Sequence, residues 1–211
     1  MDVPAVGRAP RQGGYRLAAD HVEGEGVDPR QAGGGGVQRA VDGGALPGAA
    51  PAGDWPVAAT TAQTEGPYYV PGAPERADLV DDGMGGTVLV VSGFVVDTEC
   101  TPLADAKVDV WQADALGEYD NTGGYRLRGY VLTDEAGRYS FRTVVPGEYP
   151  GRTEHIHVKI TPDGGSTLTT QLYFPGNTTN DGDNIFSEDL LLDLSETAGG
   201  LAGSFIFVVG G

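Results

Sequence analysis

The sequence predicts an all-β fold, a β-sandwich of short, mostly antiparallel strands that follows a disordered N-terminal arm. Three observations support this: short runs rich in β-branched residues, turn signals between those runs, and no long segment with helical periodicity. About seven short strands at this spacing are typical of a sandwich or barrel. A mixed α+β domain is the less favoured alternative, because it would need a long helical segment.

The arm is predicted from composition. Residues 1–58 of the 211 are dominated by Gly, Ala, Pro and Val, and they show neither helical periodicity nor strand alternation. A segment this poor in large apolar side chains cannot offset the entropy cost of ordering, so we predict a disordered arm or linker there. Residues 59–211 are predicted to form one β-sandwich domain.

The predicted strands follow the arm in chain order. The clearest is 107–112, where Val108 and Val110 alternate with Asp109 and Trp111, which places the two pairs on opposite faces. The full set of predicted strands is 87–96, 107–112, 129–133, 139–145, 155–161, 167–174 and 204–209.

Turn-forming residues separate these strands at 134–137, at Pro146-Gly147 and at 162–165. One helical turn is predicted within 187–194. The oxygen-rich stretch 180–184 lacks the spacing and the final glutamate of a calcium loop, so it is predicted to be a solvated turn.

The overall charge excludes some functions. A net charge of −17 argues against a nucleic acid or an anionic membrane surface as partner. The single cysteine, Cys100, excludes an intrachain disulfide. No apolar run reaches the roughly 20 residues of a membrane span, and the start of the chain lacks a signal peptide. We therefore expect a cytoplasmic protein if the chain starts as written, and an exported one if the start codon is misassigned.

Two of the three histidines, His155 and His157, lie one residue apart in a predicted strand. This spacing points both imidazoles to one face, which is a common beginning of a transition-metal site. Packing or hydrogen bonding alone would also explain such a pair. Tyr119 and Tyr149 lie in nearby loops, and a phenolate suits Fe³⁺ better than Fe²⁺ or Zn²⁺.

At this point the chain resembles the intradiol ring-cleavage dioxygenases, non-haem ferric enzymes that open catechols between their two hydroxyls. The resemblance covers about residues 64–209 and rests on several motifs in the order of the family. They are TEGPYY at 64–69, DTECTPL at 97–103, VDVWQADALGEY at 108–119, the residues of 128–139, PGEYPGRTEHIH at 146–157, and QLYF at 171–174.

The resemblance implies a ferric ion, Fe(3+), with four ligands in this chain: Tyr119, Tyr149, His155 and His157. Tyr149 and His157 would be the axial pair. Tyr149 would also act in catalysis by leaving as a neutral phenol when a diol binds, and Arg152 would stabilise the negative charge that develops on the substrate.

The resemblance also implies a substrate site. Gly66, Pro67 and Tyr68 would line its mouth, and Gln171 would lie beside it. The other tyrosines and Trp111 are expected to pack in the core or at the rim of the site.

The implied reaction consumes a small aromatic diol and O₂ and gives a cis,cis-muconate-type diacid. The substrate stays open between catechol, protocatechuate and hydroxyquinol. The assembly also stays open between a monomer, a homo-oligomer and a hetero-oligomer with an unlike chain. The rival interpretation is a non-catalytic β-sandwich module of the transthyretin-like or carbohydrate-binding sort, which gives no reason for the four ligand residues and Arg152 to occur together.

Overall fold

The computed structural model describes residues 58–210, so the predicted arm lies outside the described residues except for Ala58. Within the described part of the chain, eight strands form two four-stranded sheets, which confirms the predicted all-β sandwich. The strands are β1 (Val88–Asp97), β2 (Lys107–Trp111), β3 (Arg128–Leu132), β4 (Arg138–Val144), β5 (His155–Thr161), β6 (Leu168–Tyr173), β7 (Asp193–Thr197) and β8 (Gly200–Val209).

The first sheet has the strand order β3-β2-β5-β6, and the second sheet has the order β4-β1-β8-β7. Neighbouring strands are antiparallel except β1 and β8, which run parallel. Parallel neighbours need a long connection, and here that connection includes the whole first sheet. The first sheet is the one that holds the histidine strand, β5.

The first sheet has two chemically different faces. In the register of β2, β5 and β6, Val110 lies opposite Val158, and Ile156 lies opposite Leu172. These aliphatic side chains point inward and are buried against the second sheet, where the core includes Phe141. Fully burying one such side chain stabilises the fold by about 1.5–3 kcal/mol.

The outer face of the first sheet carries the intervening residues. One row across the four strands consists of Arg128, Trp111, His157 and Gln171. All four are buried although they point away from the core between the sheets. The alternation predicted for β2 is therefore confirmed, but both of its faces are buried.

A covering segment, residues 60–69, explains the burial of the outer face. It is anchored to β8 by the Thr60 amide, which donates to the Val208 carbonyl at 2.9 Å. It then meets β6, where the Gln63 amide donates to the Thr169 carbonyl at 2.8 Å. A 2.6 Å ion pair between Glu65 and Lys159 holds its middle against the sheet.

Three details differ from the predictions or refine them. The strand β7 was not predicted. The helical turn predicted within 187–194 is a short 3-10 helix, Glu188–Leu190. The solvated turn predicted at 180–184 is wrong, because a second 3-10 helix, Asn180–Gly182, leads into buried Asp183, and Asn180 is also buried. Neither helix in the described residues has the length or apolarity to cross a membrane.

Candidate metal centre and active site

Strand β5 places both histidines on the outer face of the first sheet. The Nε2 atoms of His155 and His157 lie 3.2 Å apart. The Nδ1 atom of His155 lies 2.6 Å from the Thr153 carbonyl, which can only accept, so the proton of a neutral His155 sits on Nδ1. The Nε2 atom of His155 is therefore unprotonated, and its lone pair lies beside Nε2 of His157.

A tight turn places Tyr149 beside this pair. In the sequence Tyr149-Pro150-Gly151-Arg152, the Arg152 amide donates to the Tyr149 carbonyl at 2.9 Å, and Gly151 has a φ of +81°. Proline followed by glycine with positive φ is the signature of a type II turn. The turn brings the Tyr149 hydroxyl to 3.4 Å from His155 Nε2.

A second loop, after β2, positions Tyr119. The Asp114 carboxylate accepts from the amides of Leu116 at 2.9 Å and Glu118 at 3.0 Å, which closes the turn before Tyr119. Gly117 in that turn has a φ of +81°, and a Cβ there would lie 2.2 Å from the Glu148 carbonyl oxygen. Both the positive φ and this close approach require glycine at position 117. They allow the Tyr119 loop to pack directly against the Tyr149 loop.

The two tyrosine rings and the two imidazoles converge. The centroid of the Tyr119 ring lies 5.8 Å from that of Tyr149 and 6.4 Å from that of His157. The His155 and His157 centroids are 4.8 Å apart, and Trp111 stacks on His157 at 4.8 Å with an angle of 8° between the rings. Among the described residues, no group of three or more His, Cys, Asp and Glu could hold a metal, and the side-chain oxygen beside the imidazoles is the Tyr149 hydroxyl.

Burial changes the titration of these groups. Loss of solvation, with a smaller effect of Arg152, lowers the pKa of His155 to about 4. The pKa of His157 is lowered well below its usual range by burial and by His155. Burial raises the pKa of Tyr119 far above that of a free phenol, with nearby Tyr149 adding to the effect. At neutral pH both imidazoles are therefore uncharged, and Tyr119 keeps its proton unless a cation displaces it.

Unpartnered polar atoms concentrate here. Within residues 58–210, four buried side-chain N or O atoms lack a hydrogen-bond partner, and three of them are Tyr119 Oη, His157 Nδ1 and Trp111 Nε1. A buried hydroxyl without a partner costs about 1–3 kcal/mol, so most folded proteins avoid it. The described part of the chain therefore supplies no hydrogen-bond partner to the buried Tyr119 hydroxyl.

Arg152 lies at the edge of the cluster and has a defined set of partners. Its Nη1 is 3.3 Å from the Tyr149 hydroxyl, and its Nη2 donates to Gln171 Oε1. Its Nε donates to Asp183 Oδ2 at 2.9 Å. Burial opposes the guanidinium charge, but the hydrogen bond to Asp183 and the proximity of Tyr149 outweigh it and raise the pKa of Arg152.

The covering segment brings the predicted mouth residues to the cluster. A Cβ built at Gly66 would meet the His157 ring at 3.4 Å, and Gly66 has a φ of +68°. Tyr68 stacks on Tyr119 with centroids 4.3 Å apart and meets Tyr149 edge-on at 6.2 Å. Pro67 lies exposed between them.

A cavity of about 470 Å³ adjoins the cluster on the side of Tyr149 and Arg152, and Glu148, Thr179 and Asp183 also line it. Its volume is within the range of small-molecule sites. The residues predicted from the sequence thus lie together, with Gln171 beside Arg152 and the mouth residues over the tyrosines.

Sequence reasoning missed two residues of this region. Asp183 was placed in a solvated turn, but its carboxylate is buried and paired with Arg152. Arg128 is fully buried and donates to the backbone carbonyls of Tyr68 at 2.6 Å and Asp120 at 3.1 Å, which ties the mouth to the Tyr119 loop. Arg152 lies 31 residues from Asp183, and Tyr68 lies 60 residues from Arg128, so no local pattern could have revealed these contacts.

Comparisons with known proteins show which families and folds the chain is similar to. A family model described as Dioxygenase matches residues 64–200. The chain is 35% identical over 147 residues to a catechol 1,2-dioxygenase of Acinetobacter baylyi, covering 56% of this chain and 47% of that protein. It is 34% identical over 166 residues to a hydroxyquinol 1,2-dioxygenase of a Rhizobium species, covering 65% and 56% respectively. The chain therefore spans about half the length of the curated relatives it matches.

Solved structures are similar over the described domain. The dioxygenase domain of a dioxygenase carbohydrate-binding protein fusion from a cellulolytic Streptomyces matches with a TM-score of 0.70 and 45% identity, covering 72% of this chain and 99% of that one. A 3-chlorocatechol 1,2-dioxygenase from Rhodococcus opacus matches with a TM-score of 0.66 and 36% identity, covering 72% of each chain.

Proposed function

The chain belongs to the intradiol ring-cleavage dioxygenase family, and from that premise we propose that it cleaves a catechol between its two hydroxyls. The reaction uses O₂ and a ferric ion, and the product is a cis,cis-muconate-type diacid that keeps both oxygen atoms. One observation carries the proposal: two imidazole Nε2 atoms 3.2 Å apart, with a phenol oxygen 3.4 Å from one of them, in a buried site.

The donors fit Fe³⁺. Two neutral imidazoles and two phenols are available, and the buried Tyr119 hydroxyl has no hydrogen-bond partner among residues 58–210. A trivalent ion is the kind of partner that could displace the proton from a phenol whose pKa burial has raised. Tyr119, Tyr149, His155 and His157 would hold the ion.

When bound, a ferric ion would act as a strong Lewis acid that withdraws electron density from the ionised diol and makes its ring reactive toward O₂. Tyr149 supplies a place for a proton. Its oxygen lies between His155 Nε2 and Arg152 Nη1, and as the phenolate that would hold the ion it could take a proton from an incoming diol and stay hydrogen-bonded to Arg152.

Arg152 supplies fixed positive charge. As the ring carbon reacts, negative charge grows on the adjacent oxygen, and a guanidinium keeps its charge at all relevant pH values. The Nη2 bond to Gln171 aims the group, and Gln171 is in turn held by its own bond from Nε2 to the Thr64 carbonyl at 3.0 Å. The covering segment excludes water from the rings, with Gly66, Pro67 and Tyr68 at the mouth.

The charges around the site favour an uncharged diol over a carboxylated one. Arg152, Arg128 and Lys159 are the cations that act on His157. Arg152 is paired with Asp183, Lys159 is paired with Glu65, and Arg128 donates to two carbonyls. A substrate carboxylate would have to compete for each of them. The names of the curated relatives, catechol and hydroxyquinol 1,2-dioxygenases, agree with an uncharged diol.

The purified protein tests the function directly. We expect a red-brown colour from tyrosinate-to-iron charge transfer, one iron per chain, and one O₂ consumed per catechol with a diacid as product. Protocatechuate should be turned over with a lower kcat/KM than catechol.

A colourless protein that takes up no O₂ with any catechol after loading with iron would contradict the proposal. That result would favour the non-catalytic sandwich module.

A further inference from the structure

The loop after β6 carries a buried carboxylate whose position suggests a role in the reaction. Asp183 follows the 3-10 helix Asn180–Gly182, and its side chain is only 2% exposed. Its backbone is held on both sides, since its amide donates to the Asn180 carbonyl at 3.1 Å and its carbonyl accepts from Phe186 at 3.1 Å. The carboxylate is thus fixed in place before any side-chain partner is considered.

Three donors converge on this carboxylate. Oδ2 accepts from Arg152 Nε at 2.9 Å and from the Thr153 amide at 3.1 Å, and Oδ1 accepts from the Ile185 amide at 3.1 Å. Although burial opposes ionisation, these bonds lower the pKa of Asp183. The carboxylate is therefore ionised at neutral pH, and both of its oxygens accept hydrogen bonds.

The guanidinium nitrogens of Arg152 contact different groups on its two sides. Its Nε faces Asp183, while Nη1 and Nη2 face Tyr149 and Gln171. A free arginine side chain has many rotamers, and fixing Nε on a rigid carboxylate leaves the planar fork one direction in which to point. The direction it takes is toward the Tyr149 hydroxyl.

We propose that Asp183 is a positioning residue for Arg152, holding the guanidinium where it meets the reacting diol. This inference rests on the proposed function. Among the side chains of the site, Asp183 bonds directly to Arg152, while Gln171 and Tyr149 lie on the other side of the guanidinium.

A second bond from the same loop supports the arrangement. Asn180 Oδ1 accepts from the Thr153 hydroxyl at 2.7 Å, and the Thr153 amide is bound by Asp183. The Thr153 carbonyl, which points the other way, accepts from His155. The loop therefore holds the backbone next to Arg152 without touching the imidazole directly.

The test is a double-mutant cycle with a matched control. In Asp183→Asn the size is kept, but the charge is lost and one acceptor becomes a donor. We expect kcat on catechol to fall about 10- to 100-fold, as for a small misplacement of a catalytic group, with iron content and the visible band unchanged. Asp181→Asn makes the same chemical change at an exposed position of the same loop and should match wild type.

The cycle is completed with Arg152→Gln. If Asp183 acts through Arg152, adding Asp183→Asn to Arg152→Gln should change kcat less than twofold, because the group it positions is already gone. Multiplied losses in the double variant, or a wild-type kcat in Asp183→Asn, would overturn the proposal.

Should Asp183→Asn fail to fold, Asp183→Glu keeps the charge and moves the carboxylate by one methylene. A lower kcat with an unchanged visible band is expected for it, and a wild-type kcat would refute the positioning role. Failure of the proposed function itself would show in the wild type, as a lack of colour and of O₂ uptake.

Discussion

The two faces of the first sheet differ in a way that composition alone does not show. Ile156 and Val158 point inward and pack against the second sheet, while His155 and His157, their neighbours in the same strand, point outward. Both faces are buried. The inner face packs against aliphatic and aromatic side chains, whereas the outer face holds His157 Nδ1 and Trp111 Nε1, which have no hydrogen-bond partner among residues 58–210.

This difference separates stability from function within one strand. Buried polar atoms without partners destabilise a fold, so their concentration on one face indicates that something other than folding keeps them. Substitutions on the inner face should reduce the free energy of unfolding, and substitutions on the outer face should remove iron and turnover.

The largest effect is expected on the outer face, from His157→Ala. Losing a direct ligand should lower iron affinity by more than the roughly 10- to 100-fold that loss of an outer-shell partner costs, and turnover should fall to background. Iron analysis, the visible spectrum and O₂ uptake measure this, while circular dichroism checks that the fold persists. A variant with normal iron content and colour would remove His157 from the ligand set.

A smaller effect, and of another kind, is expected one residue away. Ile156→Ala removes a fully buried side chain from the inner face and should lower the free energy of unfolding by about 2–5 kcal/mol. The iron content and kcat of the folded fraction should stay near wild type. Denaturant unfolding measures the loss, and Leu132→Ala, at an exposed position of β3, is the control that should change stability by less than about 0.5 kcal/mol. Loss of iron in Ile156→Ala would show that the two faces are not separable.

The smallest effect expected is a pH dependence of stability that arises from a buried imidazole on the outer face. Because burial lowers the pKa of His155 from 6.5 to about 4, the unfolded chain binds a proton there before the folded chain does as the pH falls. The contribution of His155 to the stability of the iron-free protein should therefore be present in full above pH 6.5 and fall by up to about 1.4 kcal/mol per pH unit on the way to pH 4, and His157, whose pKa is also lowered, should add to the loss. Thermal unfolding of chelator-treated protein across this range measures the slope, and His155→Gln should reduce it. An equal slope in that variant would place the titration elsewhere.

Most of the fold was predictable, because it is determined by local alternation. Seven of the eight strands were predicted to within a few residues, since their β-branched runs and flanking turns are visible in the chain. The strand β7 was missed because it is largely exposed and carries no apolar run, and it forms through pairing with β8. The beginning of β8 at Gly200 was placed four residues too late, because its small residues have weak strand propensity.

The site was predictable as a set of residues but not as a network. Tyr119, Tyr149, His155, His157 and Arg152 lie in motifs that resemble a family, and the structure brings them together; their roles stay predictions. Asp183 could not be found, because its carboxylate is committed to partners about 30 residues away, Arg152 and Thr153. A run rich in Asp and Asn is usually exposed to solvent, and only the folded structure shows that Asn180 and Asp183 are buried.

The parallel pairing of β1 with β8 has a consequence for how this protein is made. The strand β8 lies between β1 and β7 in its sheet, yet it begins at Gly200, about a hundred residues after β1 ends at Asp97. Until the ribosome has released those last residues, β1 has an unpaired edge that can recruit another nascent chain. Expression systems with slow translation or few chaperones should therefore yield more insoluble material, and a nonsense codon between His157 and β8 should abolish the fold even though every ligand residue has already been synthesised.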